Sequence, residues 1–178
     1  MTFLYSQITP HSTQLPSVWF LQSICIPFSF LQLDTTKTSD NKSTFLHVVA
    51  KTATTNMPDA ISFREEIPTV PKADKMSLIM LGEDRQDLEQ KLQNLSASVA
   101  SLGADASSQY PEDRFNEAMV SFKTEAADKL GHLKTLFAET AEEFNKTALY
   151  FGEDPTAAES DKFFGIFSVF TTKFAVSI

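Results

Sequence analysis

Two long amphipathic stripes constrain this chain more than any other feature. Leu78, Leu81, Leu88, Leu92, Leu95, Val99 and Leu102 follow one another in steps of three and four, and only the position of Arg85 interrupts the apolar series. That is a heptad stripe, which predicts a helix with a seam against another helix. Gly103 follows the last apolar residue and is the expected stop. A second stripe runs through Phe115, Met119, Phe122, Ala126, Leu130, Leu133, Phe137, Ala141, Phe144, Ala148 and Phe151. Pro111 is placed for a first helical position, with Glu112 and Asp113 favouring a helix start, and Gly152 and Pro155 end the run. At about 1.5 Å of rise per residue the second helix would be roughly 60 Å long, with Gly131 a weak point costing ~1 kcal/mol against Ala. The Ala- and Ser-rich linker between the stripes is short, so the two helices are expected to be antiparallel neighbours. The low count of 5 glycines in 178 residues argues against a turn-rich β-sandwich. The fold class expected is all-α, an elongated antiparallel bundle with two long coiled-coil-like helices.

The rest of the charged region reads as helix too. Ser39 or Asp40 can cap a helix start. Phe45, Val48 and Val49 then share a face, and Met57-Pro58 ends the helix because a residue before proline avoids the α conformation. Pro68 and Pro71 punctuate a connector over 61–71. A last helix begins near Ser160 and carries Phe163, Phe164, Ile166, Phe167, Val169, Phe170 and Phe174. Apolar on most sides, it is expected to be deeply buried, its rings core rather than a cofactor box. The organisation expected is a head over 1–32, a capped helix and connector over 33–75, the two long helices over 76–152, and a closing helix over 153–178.

Charge is distributed unevenly. All 15 basic and 23 acidic residues lie from Asp34 onward, giving a net charge of −8. Nucleic acid is therefore not an expected partner, because it demands a basic surface. The uncharged head lacks the positive start of a secretory signal, and its apolar run Val18–Leu33 is short of the ~20 residues of a membrane span. A disordered or irregular tail, a strand-like leader and a gene-model artefact all fit it; a membrane or signal segment is not expected. The single cysteine, Cys25, allows no internal disulfide and no cysteine metal cluster, in keeping with a reducing compartment.

Chemistry is sparse. His11, His47 and His132 lie in different segments, and His47, between Leu46 and Val48, reads as a packed structural histidine. No nucleophile elbow, phosphate loop, dinucleotide fingerprint or zinc-protease motif is present. The adjacent pairs Glu142–Glu143 and Glu65–Glu66 point about 100° apart on a helix and make no shared acid–base site. An enzyme is not expected, nor any cofactor or metal.

The run DTTKTSDNKSTFLHVV, starting at Asp34, resembles a segment of formin homology 2 domains that usually reads D-T-K-S-x-D-x-K-x-T-L-L-H. Pro58-Asp59, EEIPTVPKADKMS, the leucine heptads, RFNEAMVSF, ALYFGEDP and DKFFGIFSVF agree in phase, so the likeness covers Leu33 to Phe174. It implies an all-helical module that nucleates actin filaments, stays on the growing barbed end and works as a head-to-tail ring dimer. It also implies that Lys37 contacts actin, with Lys42, one turn into the helix, assisting. The expected partners are actin and a second copy or another formin chain, in the cytoplasm at the cytoskeleton. The lasso with its anchoring Trp, the linker, the knob and the G-N-x-x-N stretch of the family have no counterpart. The chain is thus expected to correspond to a C-terminal formin homology 2 half, incomplete as a nucleator, behind an unrelated head. A helical scaffold or oligomerisation module without actin contact is the alternative.

Overall fold

The structure, a computed structural model, describes residues 32–106 and 114–178. The head residues before Gln32, including His11, Trp19 and Cys25, and the expected helix start at Pro111 lie outside them. Among the described residues six α-helices follow one another: α1 (Phe45–Asn56), α2 (Phe63–Glu66), α3 (Val70–Ala73), α4 (Leu78–Ala106), α5 (Phe115–Tyr150) and α6 (Ser160–Ser177), with a 3₁₀ turn at Pro58–Ser62. The one strand-like feature among the described residues is an isolated antiparallel bridge between Lys37 and Thr44. The all-α expectation therefore holds. The chain divides into two compact units, one of residues up to Leu78 plus Thr140–Ile178, the other Ile79–Glu139.

The first unit holds the aromatic core. Phe163, Phe164, Phe167, Phe170 and Phe174 of α6 are all buried, as are Phe144 of α5, Phe151 just beyond its end and Phe63 of α2. Their rings meet edge to face or tilted, as the ring quadrupole favours: Phe144–Phe163 at 5.6 Å, Phe151–Phe167 at 5.1 Å and Phe63–Phe174 at 5.4 Å. Val169 and Val176 face solvent, so α6 buries one broad stripe rather than most of its circumference.

On α1 the inward face is Leu46, Ala50 and Ala53, spaced four and three apart, with Val49 at its margin. Phe45 and Val48 are exposed, which corrects the expected face. The physical reason lies across the interface: α1 packs on α6, and fully buried alanines give the room that its bulky phenylalanines take up. The connector expected over 61–71 is also corrected. Phe63, Ile67, Val70 and Ala73 are buried, and the short helices α2 and α3 deliver them into the core beneath α6.

A single hydroxyl ties the ends of two helices together. Ser160 Oγ, buried at the start of α6, accepts the Leu78 N–H at 2.9 Å and donates to the Met76 carbonyl at 3.1 Å. Leu78 opens α4, whose first-turn N–H groups have no intrahelical acceptor. At the far end of α5, Gly152 takes φ +78°, and the Glu153 N–H reaches back to the Ala148 carbonyl at 2.9 Å. That is the left-handed stop expected of a glycine following a helix.

In the second unit α4 and α5 run antiparallel. Gly82 lies against Phe137, Glu89 pairs with Lys134, and Leu92 shares a groove with Leu130. Arg85, which interrupts the leucine series, belongs to the seam all the same. Its guanidinium sits over the Phe137 ring, 5.3 Å from the centroid, and 3.6 Å from the Glu89 carboxylate. Other members of the stripes depart from it: Leu88, Phe115, Phe122 and Leu133 are exposed. Two helices crossing one seam cannot bury stripes as wide as these. Helix α4 also continues through Gly103 to Ala106, so that glycine is not its stop.

Candidate functional site

The polar stretch before α1 folds into a small closed loop. The Asp40 carboxylate accepts the Thr38 hydroxyl at 2.5 Å and the Lys42 N–H at 3.1 Å. Asn41 adopts φ 56°, a left-handed conformation that asparagine tolerates better than most residues. This reverses the chain, so that the Thr38 N–H meets the Ser43 carbonyl at 2.9 Å. The Thr38 hydroxyl oxygen in turn accepts the Ser43 N–H at 3.2 Å. The Phe45 N–H then reaches the Thr36 carbonyl at 2.8 Å, and the Leu46 N–H reaches the Leu33 carbonyl, also at 2.8 Å. Leu33 is buried, so the incoming strand is anchored in the core.

Three sequence expectations change here. The residue capping α1 is Thr44, in extended conformation, and it makes no side-chain cap bond. Ser39 and Asp40 do not cap the helix; Asp40 is committed to its own turn, the local competition that short polar side chains offer to helix starts. Lys42 accordingly lies in the loop before α1 rather than one turn inside it. His47 is exposed instead of packed, its Nδ1 lying 2.7 Å from the Thr44 hydroxyl.

Lys37 and Lys42 are exposed, and neither forms an ion pair with any described residue. The two carboxylates nearest them in sequence are occupied. Asp40 is held below the usual carboxylate range by the Thr38 hydroxyl and the Lys42 N–H. Asp34 is likewise lowered, chiefly by its hydrogen bond from Lys173 of α6 and secondarily by that lysine's charge. Sequence reasoning had no means of finding this pair, since its members are 139 residues apart. Beside the loop, Phe45 and Val48 present an exposed apolar strip on α1, with Lys51 on the same helix also exposed.

The loop can present cations to an acidic surface. Among the described residues no cluster of three or more His, Cys, Asp or Glu is placed to hold a metal. No helix there is long and apolar enough to cross a membrane.

The sequence motifs imply an all-helical chain with a phenylalanine-rich closing helix, and the structure has both. Residues 28–175 match the family model of the Formin Homology 2 Domain. The chain belongs to the formin homology 2 family. It is 29% identical to Protein diaphanous homolog 2 of Mus musculus over 154 residues, which is 86% of this chain and 14% of that protein. It is 27% identical to Formin-like protein 3 of Oryza sativa subsp. japonica over 149 residues, 84% of this chain and 12% of the relative. Disheveled-associated activator of morphogenesis 2 of Gallus gallus is 28% identical over 147 residues, with 80% and 13% covered. The chain thus aligns with only about one seventh of these relatives' length or less.

Proposed function

We propose that this chain is an actin-binding module of the formin type, one part of the machinery for filament nucleation and barbed-end elongation at the cytoskeleton. Lys37 is its principal contact and Lys42 assists. The observation that carries the reading is the free cationic loop. In a chain of net charge −8, two exposed lysines stand without acidic partners among the described residues on a hydrogen-bonded turn, at the motif the family resemblance assigns to actin. Charges of this kind steer encounter and fix register more than they add buried area. Because the loop is already ordered by its own hydrogen bonds, little entropy is lost on docking.

Co-sedimentation with filamentous actin tests the proposal. The native chain should pellet with filaments, with an affinity that falls as salt rises, and Lys37→Glu should lose most of that binding while keeping native helicity.

A second reading is favoured by one observation. In the α4–α5 unit a groove lined by Leu88, Leu92, Phe122, Ala126, Leu130 and Leu133 lies open. A scaffold or oligomerisation module, self-pairing or joined to another formin chain, would use such a groove for a partner helix. Failure of the native chain to bind filaments at tens of micromolar, with concentration-dependent association in the ultracentrifuge, would favour that reading instead.

A further inference from the structure

The cationic loop is attached to the rest of its unit at two kinds of point. One is backbone: the Leu33 and Thr36 carbonyls accept the N–H groups of Leu46 and Phe45. The other is the side-chain pair between Asp34, at the root of the loop, and Lys173, near the end of α6. Lys173 projects from the helix whose other face carries Phe167, Phe170 and Phe174 into the core. The base of this pair is therefore fixed by the best-packed element of the unit. A shallow groove shared by Asp34, Thr44, Leu46, His47, Lys173 and Val176 joins loop and helix on the surface.

We propose that Lys173 is a positioning residue for the Lys37 loop: by pairing with Asp34 it fixes the root of the loop against α6 and engages one of the two carboxylates nearest the loop's lysines. Lys173 need not touch a partner to do this. Asp34 is only three residues from Lys37, so an unpaired carboxylate there would offer Lys37 an internal partner in competition with an acidic surface. The consequence for filament binding rests on the actin reading above; the ordering of the loop does not.

Amide hydrogen exchange on the full chain tests the ordering directly. The reporters are Thr38, Phe45 and Leu46, whose N–H groups close the loop, and the control is Met57, bonded to the Ala53 carbonyl at the other end of α1. An ion pair with partly exposed members is worth little, so Lys173→Met should speed exchange at the reporters by about 1.5- to 5-fold and leave Met57 unchanged. Lys173→Arg should exchange like the native chain. The double variant Asp34→Lys, Lys173→Glu, which restores the pair with its charges exchanged, should slow the reporters again relative to Lys173→Glu alone. Unchanged reporters, equal acceleration at Met57, or no recovery in the exchanged pair would each overturn the proposal. Filament co-sedimentation of the same variants separates the two ideas. If the native chain binds and the reporters do not respond, the positioning role falls and the actin reading stands. If the reporters respond but the native chain does not bind, the reverse holds.

Discussion

Phe63 offers the sharpest test of how this fold is held together, because sequence places it in a proline-bounded connector and structure places it in the core. Its ring is fully buried, 5.4 Å from Phe174 and 5.9 Å from Phe170. A buried phenylalanine removes at least ~150 Å² from water, worth about 4 kcal/mol at ~25 cal/mol per Å². Truncation to alanine also leaves a cavity between rings that belong to a long, constrained helix and cannot readily collapse into it. Phe63→Ala should therefore cost about 3–5 kcal/mol. Against a typical total of ~5–15 kcal/mol, that is a large fraction of the stability. In urea, with a slope near ~2 kcal/mol per M, the midpoint should fall by about 2 M. Far- and near-ultraviolet circular dichroism would follow helix content and ring packing together. The matched control is Phe45→Ala, whose ring is 47% exposed and whose loss should cost about 1 kcal/mol or less. Equal midpoint shifts for the two variants, or a larger one at Phe45, would refute the assignment of Phe63 to the core and of α1's outer face to solvent.

Other substitutions probe particular joints. Ser160→Ala leaves both the Leu78 N–H and the Met76 carbonyl without their partner in a partly buried place, so a loss of about 1–3 kcal/mol is expected in denaturant titration, and Ser160→Thr should recover part of it. Gly152→Ala meets no neighbouring atom within 4 Å, so its cost is conformational alone, about 1–2 kcal/mol for a Cβ at φ +78°. Acid should weaken the attachment of the loop through Asp34. Its folded-state pKa is depressed, so the contribution is complete above its ordinary value of 3.8 and is lost as pH falls below that. Asp34 faces Lys173 and shares a groove with His47. Asp40, inside the loop, is depressed as well, so in Asp34→Asn loop amide exchange should lose only the part of the acid dependence below about pH 4 that Asp34 carries, and Asp34→Asn with Asp40→Asn should lose the rest.

The loop illustrates how local and distant information divide. That residues 34–44 would be polar, exposed and turn-rich is written in the run of Thr, Ser, Asp, Asn and Lys, whose side chains bond to nearby backbone. Which of them would cap α1 was not legible. Asp40 can accept N–H groups in a turn or at a helix start with similar geometry, and the choice went to the turn once Asn41 took the left-handed conformation. The Asp34–Lys173 pair, by contrast, has no local signature of any kind.

Periodicity determined the helices themselves: steps of three and four place apolar residues along one side of a rod whatever surrounds it, so α4, α5 and α6 could be read from the chain alone. The sequence also carried the family, through motifs that keep their phase along most of its length. What tertiary structure alone decided is which apolar residues go inside. The run FLHVVA in α1 offers two competing faces, and the alanine-bearing face won because the opposing helix brings large rings that need small neighbours. Phe63 was drawn inward for the same reason, since its burial depends on α6, about a hundred residues further along, and no window of sequence around it contains that partner.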